Sequence, residues 1–392
     1  LETAYIRNGI VDAKYCTVGD GVLDARITLA TLLNSSSVKF NRFTDYANFT
    51  APVYGGFDGL NILDKDVGYM TDKAAATDTG GKAGSDWSGG LGLYGTDDGS
   101  MMGKGKQNNV VFSYRKAVEM MTDPMVVNTN ILAVPGIRDP YITDLALEKN
   151  KDYAMAIYLM DMQHYDEDEN RLFNDSAAKV SVRETAESFE SRRVDNNYSA
   201  TYFPDVYIED PVNNRSVKVP SSIAALAALG FNDTVAYPWF APAGFNRGAL
   251  DFVQNTTSKL SAGDRDTLYD ARINPIANFP NAGFAIFGQK TLQITKSALD
   301  RVNVRRLLLE VKRLIVNIAE QLLFEPNTPS TRAKFVGQAT PVLALIQTQQ
   351  GIEQFQVVMD DTNNTAADVE QNQLNGKILL VPTRAIEFIA ID

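Results

Sequence analysis

Apolar and polar positions follow one another in patterns that predict an α/β arrangement from about residue 110 onward. Two nearly continuous apolar runs, residues 126–136 and 153–162, predict buried strands, and a helical pattern lies between them. A strand–helix–strand order with apolar strands is typical of a parallel sheet that helices cover on both faces. The same periodicities predict helices at 113–121, 142–152 (opened by Thr143 or Asp144), 181–194 and 220–231 (stopped by Gly230), and extended segments at 201–211 and 216–220.

The last third of the chain carries the longest helical pattern. Ser297 is a good N-cap and Asp300 follows three residues later, which is the spacing of a capping box. We predict a helix from there to about residue 324, because apolar residues recur at helical spacing at Val304, Leu307, Leu308, Val311, Leu314, Ile315, Ile318 and Leu322. A second helix over 334–351, with Pro341 in its first turn, and strands at 353–360, 377–382 and 385–392 complete the prediction.

The chain before residue 110 has a different composition. Ten of its glycines fall between Gly80 and Gly105, a density that costs too much backbone entropy for a regular helix or a central strand. The residues from Phe40 to Tyr54 carry β-forming side chains and turn residues. We therefore predict that residues 1–109 form an irregular, β-containing segment, with the glycine tract as a long surface loop.

Charge and rare residues narrow the classes of function. With 37 Lys and Arg against 48 Asp and Glu, the net charge is −11, which argues against nucleic acid as a partner. A single cysteine, Cys16, excludes an internal disulfide framework and a cysteine-rich zinc module. No apolar run reaches the length of a membrane span, so we expect no membrane insertion.

Two glycine motifs do not predict a cofactor. Gly90, Gly92 and Gly95 match the spacing of a dinucleotide-binding loop, but a polar tract precedes them and no helix pattern follows. Gly103-Lys104 resembles half of a phosphate-binding loop, yet Gly105 stands where serine or threonine is needed. We expect no cofactor and no nucleotide.

The single histidine, His164, lies beside the acidic run 166–169. A hydrolase would need this histidine next to a serine nucleophile, but the chain has no GxSxG motif. The acidic run is also similar to part of a calcium loop, although Leu172 and Phe173 occupy places where glycine and oxygen ligands are expected. A solvated acidic turn is the preferred interpretation, and weak cation binding stays open as the alternative.

Basic residues are concentrated on the long helix after Ser297. They form two neighbouring rows opposite its apolar face, and Arg305 and Lys312 are about two turns apart: Arg301, Arg305, Lys312, with Arg306 and Arg313. Such rows are most often a solvated helix face. The alternative is a docking surface for an acidic partner.

Read as whole phrases, residues 110–392 resemble the contractile tail sheath proteins of large tailed bacteriophages. The resembling phrases occur in the order of that family, and they are NILAVPGI (130–137), FPDVYIEDP with VKVPSS (203–222), YPWFAPAGFNRG (237–248), INPIANFPNAGFAIFGQKTL (273–292), LDRVNVRRLLLEVKR (299–313), LFEPN (323–327), DDTNNT (360–365) and GKILLVPTRAIEFIAID (376–392).

The resemblance implies a fold class and a domain organisation. It implies a subtilisin-like α/β domain at 110–262 without protease activity, and an α+β C-terminal domain at 263–392 that faces inward. Residues 1–109 would be the variable outer insertion. Because the chain begins at Leu1 without methionine and ends at Asp392, the resemblance also implies a fragment that lacks the N-terminus and the extreme C-terminal arm.

The resemblance further implies a structural function and no enzymatic activity. Sheath proteins polymerise as stacked rings around a tail tube, and they contract without nucleotide hydrolysis to drive the tube through a host envelope. The implied partners are other copies of the chain, the tail tube protein, and the baseplate and tail terminator proteins. The implied location is the virion, with the host cytoplasm during assembly.

The same resemblance assigns candidate contact residues. The five basic residues of the long helix would face the tube, and the end of the chain would pair with a neighbouring subunit through Ile386, Phe388, Ile389 and Ile391. Two other functions remain open: the sheath of a headless bacterial contractile injection device, and a hydrolase on a subtilisin-like scaffold.

Overall fold

The computed structural model describes residues 18–19, 22–23, 72–76, 108–173, 178–280 and 282–387. The chain forms two compact units, Leu1–Tyr114 and Arg115–Asp392. In the first unit, strand β1 (Val18–Gly19) pairs antiparallel with β2 (Val22–Leu23), and α1 spans Asp72–Ala76. The glycine tract at 80–105 and both glycine motifs lie outside the described residues.

The second unit contains both helices and strands. The division between the units falls within helix α2 (Asn109–Met121). The elements that follow are β3 (Ile131–Ala133), α3 (Pro140–Tyr153), β4 (Ile157–Met160), β5 (His164–Tyr165), β6 (Arg171–Leu172), α4 (Val182–Ser191), β7 (Ser199–Phe203), β8 (Val206–Asp210), β9 (Arg215–Val219), α5 (Ser221–Val235), α6 (Gly244–Arg247), β10 (Val253–Thr256), α7 (Ala262–Asp270), β11 (Ile273–Phe279), β12 (Gly283–Ile286), α8 (Val302–Glu320), α9 (Pro329–Thr348), β13 (Ile352–Val358), α10 (Ala366–Glu370) and β14 (Lys377–Pro382).

A five-stranded sheet forms the centre of the second unit. Its strand order is β12-β11-β7-β4-β3, and all neighbours are parallel except the antiparallel pair of β12 and β11. The predicted mixed α/β fold with a parallel sheet is therefore confirmed. Smaller antiparallel sheets are formed by β10-β8-β9, by β5-β6 and by β13-β14.

Apolar side chains project from both faces of the central sheet. Along β4, Ile157 and Leu159 join a core with helix α5, whereas Tyr158 and Met160 join a second core with α3, α4 and α7. Successive side chains of a strand point to opposite faces, so a continuous apolar strand needs a cover on each side. The expectation that helices cover both faces holds for this sheet.

The residues after β12 pack differently. Helices α8 and α9 lie against the β13–β14 sheet, and Leu307, Val311, Leu343 and Ile352 are buried between them. The smaller cluster of Leu322, Phe335 and Ala339 continues this core toward the end of α8. This region has one apolar core on one side of a two-stranded sheet.

Three predicted helix boundaries are wrong. Helix α3 begins at Pro140, because Asp139 caps it by accepting a hydrogen bond from Tyr141 N, and neither Thr143 nor Asp144 opens it. Helix α5 continues through Gly230 to Val235. Ser297 caps only a short 3₁₀ turn at Ala298–Asp300, and α8 begins after it at Val302.

Two further predictions near the end of the chain need correction. Pro341 lies inside α9 rather than in a first turn, because Thr328 caps the helix one residue before Pro329. Residues 383–387 are not a strand, and residues 388–392 lie outside the described residues. The packing also continues across the predicted domain division after residue 262, because β11 pairs with β7 in the central sheet.

Candidate functional site

The N-terminal half of helix α8 is buried on every side, and this changes the interpretation of its basic residues. Only 5% of Arg305 and 4% of Arg306 is exposed. Arg305 donates from Nε to the Asn197 carbonyl at 3.0 Å and stacks on Tyr198, whereas Arg306 pairs with Asp233. Burial lowers the pKa of Arg305. The prediction that Arg305 points away from the core is wrong, because α8 packs against the central sheet with Leu309 and against α9 with Leu307.

The other three basic residues of the predicted tube-facing set are less buried. Arg301 pairs with Glu387 and with Asp300, and Arg313 lies 3.5 Å from Glu310. Lys312 is exposed, and its Nζ donates to the Ala154 carbonyl at 3.1 Å. Of the five residues, Lys312 is the one on an open surface.

Hydrogen bonds to Glu387 hold the last described residues of the chain in place. Arg301 donates to the two carboxylate oxygens from Nε at 2.6 Å and from Nη2 at 2.9 Å, and the Tyr269 hydroxyl donates at 2.7 Å. Burial alone would raise the pKa of Glu387, but Arg301 and Tyr269 hold it below its ordinary value. The neighbouring Ile386 is 81% exposed. The other three strand candidates, Phe388, Ile389 and Ile391, lie outside the described residues.

The β13–β14 sheet is an incomplete surface. One face packs on α8 and α9, while Leu379 and Val381 on the other face are 45% and 46% exposed. Among the described residues, no third strand pairs with either strand. Exposed strand edges with apolar neighbours are templates for pairing with another chain.

A buried polar network lies where β4 and β7 end. Arg138 donates from Nη2 to both carboxylate oxygens of Asp205, at 2.9 and 2.7 Å. Asp161 accepts from Gly136 N, from Ser222 N and from the hydroxyls of Ser221 and Ser222, at 2.7–3.2 Å. The two serines begin helix α5, so this network ties the helix N-terminus to the sheet.

Charges within the network determine its protonation. Burial would raise the pKa of Asp205, but the Arg138 charge beside it holds the pKa below its ordinary value. Burial raises the pKa of Asp161, against the effect of Arg138. Burial and the Arg138 charge lower the pKa of His164 to about 3, so this side chain is neutral at pH 7.

The network does not form a hydrolytic site. His164 faces Asp205, with 3.9 Å between Nδ1 and Oδ2, and its ring lies edge-on to Phe203. The hydroxyls of Ser221 and Ser222 both donate to Asp161 instead. Nucleophilic catalysis needs the serine within hydrogen-bond reach of the base. In the described part of the chain, no serine hydroxyl bonds to His164, which argues against the hydrolase alternative.

The acidic run after His164 forms the turn between β5 and β6. The Asp166 carboxylate accepts from Asp168 N and Asn170 N, and residues 167–170 are exposed. This matches the predicted solvated turn, whereas His164 itself is buried. Across the described ranges, no group of three or more His, Cys, Asp or Glu is arranged to hold a metal ion. No helix there is long and apolar enough to cross a bilayer.

Comparison with known sequences finds that part of the chain is similar to phage tail sheath proteins. It is 38% identical over 199 residues to the tail sheath protein of Vibrio phage KVP40, and 34% identical over 206 residues to the tail sheath protein of Enterobacteria phage T4. About half of the chain is therefore similar to phage tail sheath proteins. The predicted resemblance is thereby confirmed. The matches cover 51% and 50% of this chain, but only 29% and 31% of the two relatives.

Solved structures extend the sheath likeness to the fold of a larger part of the chain. The contracted sheath of an extracellular contractile injection system (PVC) superposes with a TM-score of 0.57, at 19% identity, over 72% of this chain and 79% of that chain. The contracted helical sheath of the anti-feeding prophage gives a TM-score of 0.53 at 18% identity, over 72% and 73%. At these identities, the likeness shows a shared fold. No protein-family model matches the chain.

Sequence reasoning missed the residues of the buried network apart from His164. The signal was present, because Asp161 directly follows an apolar strand and Ser221 and Ser222 open a helix after Pro220. Polar residues at the carboxyl ends of parallel strands are expected to meet at one edge of the sheet. Arg138 and Asp205 gave no comparable signal, because their pairing joins residues 67 positions apart.

Proposed function

We propose that this chain is a structural subunit of a contractile phage tail sheath. In this role it polymerises around a tail tube and contracts to drive the tube through the host envelope, without nucleotide hydrolysis. The observation that carries the proposal is the 34–38% identity to two phage tail sheath proteins over half of the chain. The site of action is the virion, after assembly in the host cytoplasm.

The proposal divides the fold of the described region into two parts. The parallel sheet with helices on both faces is the subtilisin-like α/β part. The helices α8 and α9 with β13 and β14 are the α+β part that faces the tube. The sheet includes β11, so the α/β part extends past residue 262 and the α+β part begins near α8.

Other copies of the chain are the first partner in the proposal. A second copy adds a strand to the open β13–β14 sheet through its chain end, where Ile386, Phe388, Ile389 and Ile391 are the candidates. The exposed Leu379 and Val381 support this, as do the outer edges of β13 and β14, which pair with no third strand among the described residues. Main-chain hydrogen bonds then hold neighbours together while flexible connections bend during contraction.

The tail tube, the baseplate and the tail terminator are the further partners in the proposal. Of the five basic residues, Lys312 is the tube-facing candidate, since it is the exposed one. An exposed ion pair contributes about 0–1 kcal/mol, so a single contact is weak. A sheath repeats the contact in every subunit, so weak contacts add up and can still break during contraction.

A headless contractile injection device is the second candidate, because sheath structures of such devices share the fold at TM-scores of 0.53–0.57. The identities favour the phage, since they are 18–19% for these devices and 34–38% for the two phage proteins. Capsid and terminase genes next to the coding sequence are expected for a phage. Their absence from the locus would favour the device.

Electron microscopy of the full-length protein, with and without its tube protein, tests the proposal. We expect rings or hollow tubes whose subunit matches the fold described above. Lys312→Glu is expected to weaken assembly on tubes at physiological salt, and Lys334→Glu, at an exposed position of α9, serves as the control. Full-length protein that stays monomeric with and without tubes would contradict the proposal.

A further inference from the structure

Two large apolar side chains project from the loop that joins α8 to α9. Phe324 is fully exposed and Leu323 is 65% exposed, although both are large apolar side chains. The backbone of Phe324 has φ +68°, a left-handed conformation that is unfavourable for a bulky residue. Exposed apolar surface and backbone strain together indicate a contact surface, because neither stabilises the isolated chain.

The loop is held in a fixed shape, so the backbone that carries these two side chains is positioned in advance of any contact. Leu322 is buried against Phe335, and Leu323 N and Glu325 N donate to the carbonyls of Glu320 and Leu322. A preorganised loop backbone loses little conformational entropy on binding. We call Leu323 and Phe324, flanked by the exposed Glu320 and Glu325, the acidic knob.

A groove of about 570 Å³ lies elsewhere on the same compact unit. Its apolar wall includes Trp239, Phe240, Ala243 and Phe287, and Phe287 is 45% exposed. A volume in this range accepts an aromatic side chain and its neighbours. The groove therefore has the chemistry that the knob needs.

The rim of the groove is basic. It carries Arg247, Arg265 and Arg384, against the acidic Asp266 and Glu387. Arg301 neutralises Glu387, so a positive charge remains. In a chain with a net charge of −11, a basic groove complements the acidic knob.

We infer that the acidic knob of one copy of this chain inserts into the basic aromatic groove of a second copy. The two surfaces differ, so the contact is heterologous and repeats into rings or helices rather than closing as a dimer. The inference rests on the proposed sheath function for its context. It adds a contact beside strand addition to β13 and β14, and Ile386 and Glu387 of the chain end line part of the groove.

A photocrosslinker at position 324 tests the contact directly. Chain with benzoylphenylalanine in place of Phe324 is mixed with isotopically heavy chain, irradiated at high concentration and mapped by mass spectrometry. We expect light–heavy products that join position 324 to residues 237–247 or 283–290. Absence of such products, or products at another surface of the second copy or on added tube protein, would overturn the inference.

Substitutions give the independent test. Phe324→Asp is expected to weaken self-association about tenfold or more, as for a central contact residue. Phe231→Asp is the matched control, because Phe231 is also an exposed phenylalanine and lies on α5, outside the knob and the groove. An equal effect of the two substitutions would refute the contact.

A charge exchange separates binding from folding. Glu325 and Arg384 are exposed, and neither has an ion-pair partner in the described part of the chain. Glu325→Arg or Arg384→Glu alone should weaken association about threefold to fivefold with unchanged thermal stability, and the combination should restore it. No restoration would count against the pairing of these two surfaces.

The outcomes distinguish this contact from the proposed function. If full-length Phe324→Asp polymerises like wild type, the knob contact is refuted and the sheath function stands. If wild-type full-length protein does not polymerise at all, the sheath function is refuted. Light–heavy crosslinks in the groove would even then show the knob contact by itself.

Discussion

The central five-stranded sheet and the two-stranded β13–β14 sheet differ in how completely one chain closes them. The larger sheet has an apolar core on each face, and its edge strand β12 exchanges hydrogen bonds with the segment at residues 248–250. The smaller sheet has a core on one face, exposes Leu379 and Val381 on the other, and pairs with no third strand among the described residues.

The difference indicates a division of labour within one chain. A sheet with two covered faces is held in shape by its own chain. A two-stranded sheet is marginal alone and gains stability from added strands. In the proposed sheath, the first region is the rigid body that moves during contraction, and the second region is the connection that neighbours complete.

The largest expected effect comes from breaking the buried ion pair of the rigid region. Asp205→Ala leaves Arg138 charged and buried, which is expected to cost about 3–5 kcal/mol in the free energy of unfolding. The control, Asp144→Ala, removes the exposed partner of Arg192 and should cost at most about 1 kcal/mol. Denaturant unfolding measures both. Equal costs would mean that the network does not stabilise the sheet.

Truncating one leucine in each sheet compares the two regions directly. Leu159→Ala empties a fully buried site, and we expect a loss of about 2–5 kcal/mol. Leu379→Ala, at a half-exposed site of β14, should change the unfolding free energy by no more than about 0.5 kcal/mol. If Leu379→Ala proved as costly as Leu159→Ala, the β14 surface would already be covered within the chain.

The pH dependence of stability isolates His164, because it is the single histidine of the chain. The folded-state pKa of about 3 lies below the unfolded value of about 6.5, so the unfolded state binds the proton first as the pH falls. The contribution of His164 is therefore complete above about pH 6.5 and decreases toward pH 3. Between pH 6.5 and pH 5, this amounts to about 2 kcal/mol of lost stability.

His164→Asn tests this linkage. Unfolding free energies of wild type and variant are measured from pH 7.5 to pH 5, and the difference between them is compared across the range. Titration of Asp161 or Asp205 affects both proteins and largely cancels in the difference. A wild-type slope that survives in the variant would show that His164 is not the group responsible.

Sequence patterns predicted the sheet region well for a physical reason. Buried strands such as Ile157–Met160 must be apolar on both faces, and amphipathic helices such as Val182–Ser191 must show helical spacing. These signals are local and strong. Helix starts depend also on tertiary packing, since Asp139 caps the long helix α3 whereas Ser297 caps only a short 3₁₀ turn.

The basic residues of α8 show what local patterns miss. Spacing placed Arg305 and Arg306 opposite an apolar stripe, but both side chains are buried in the structure. Their burial follows from contacts with Tyr198 and Asp233, which lie more than 70 positions away in the chain. Periodicity describes one helix, whereas burial depends on everything that packs around it.

The smallest effect is expected at Glu387, where the segment after β14 is tied to Arg301 and Tyr269 beside the rigid region. Glu387→Gln keeps the size of the side chain and removes its charge. Because the site is partly solvated, we expect at most about 1 kcal/mol of lost binding for this segment. Trypsin cleavage after Arg384 reports that loss, since cleavage requires the segment to detach. The cleavage rate should rise by a few-fold, up to about fivefold.

Glu353→Gln, at an exposed position of β13, is the control and should leave the cleavage rate unchanged. If the cleavage rate rises with Glu387→Gln but not with Glu353→Gln, the Glu387 carboxylate is the group that holds the segment after β14 against the rigid region. Equal rates in all three proteins would mean that contacts other than the Glu387 charge hold the chain end.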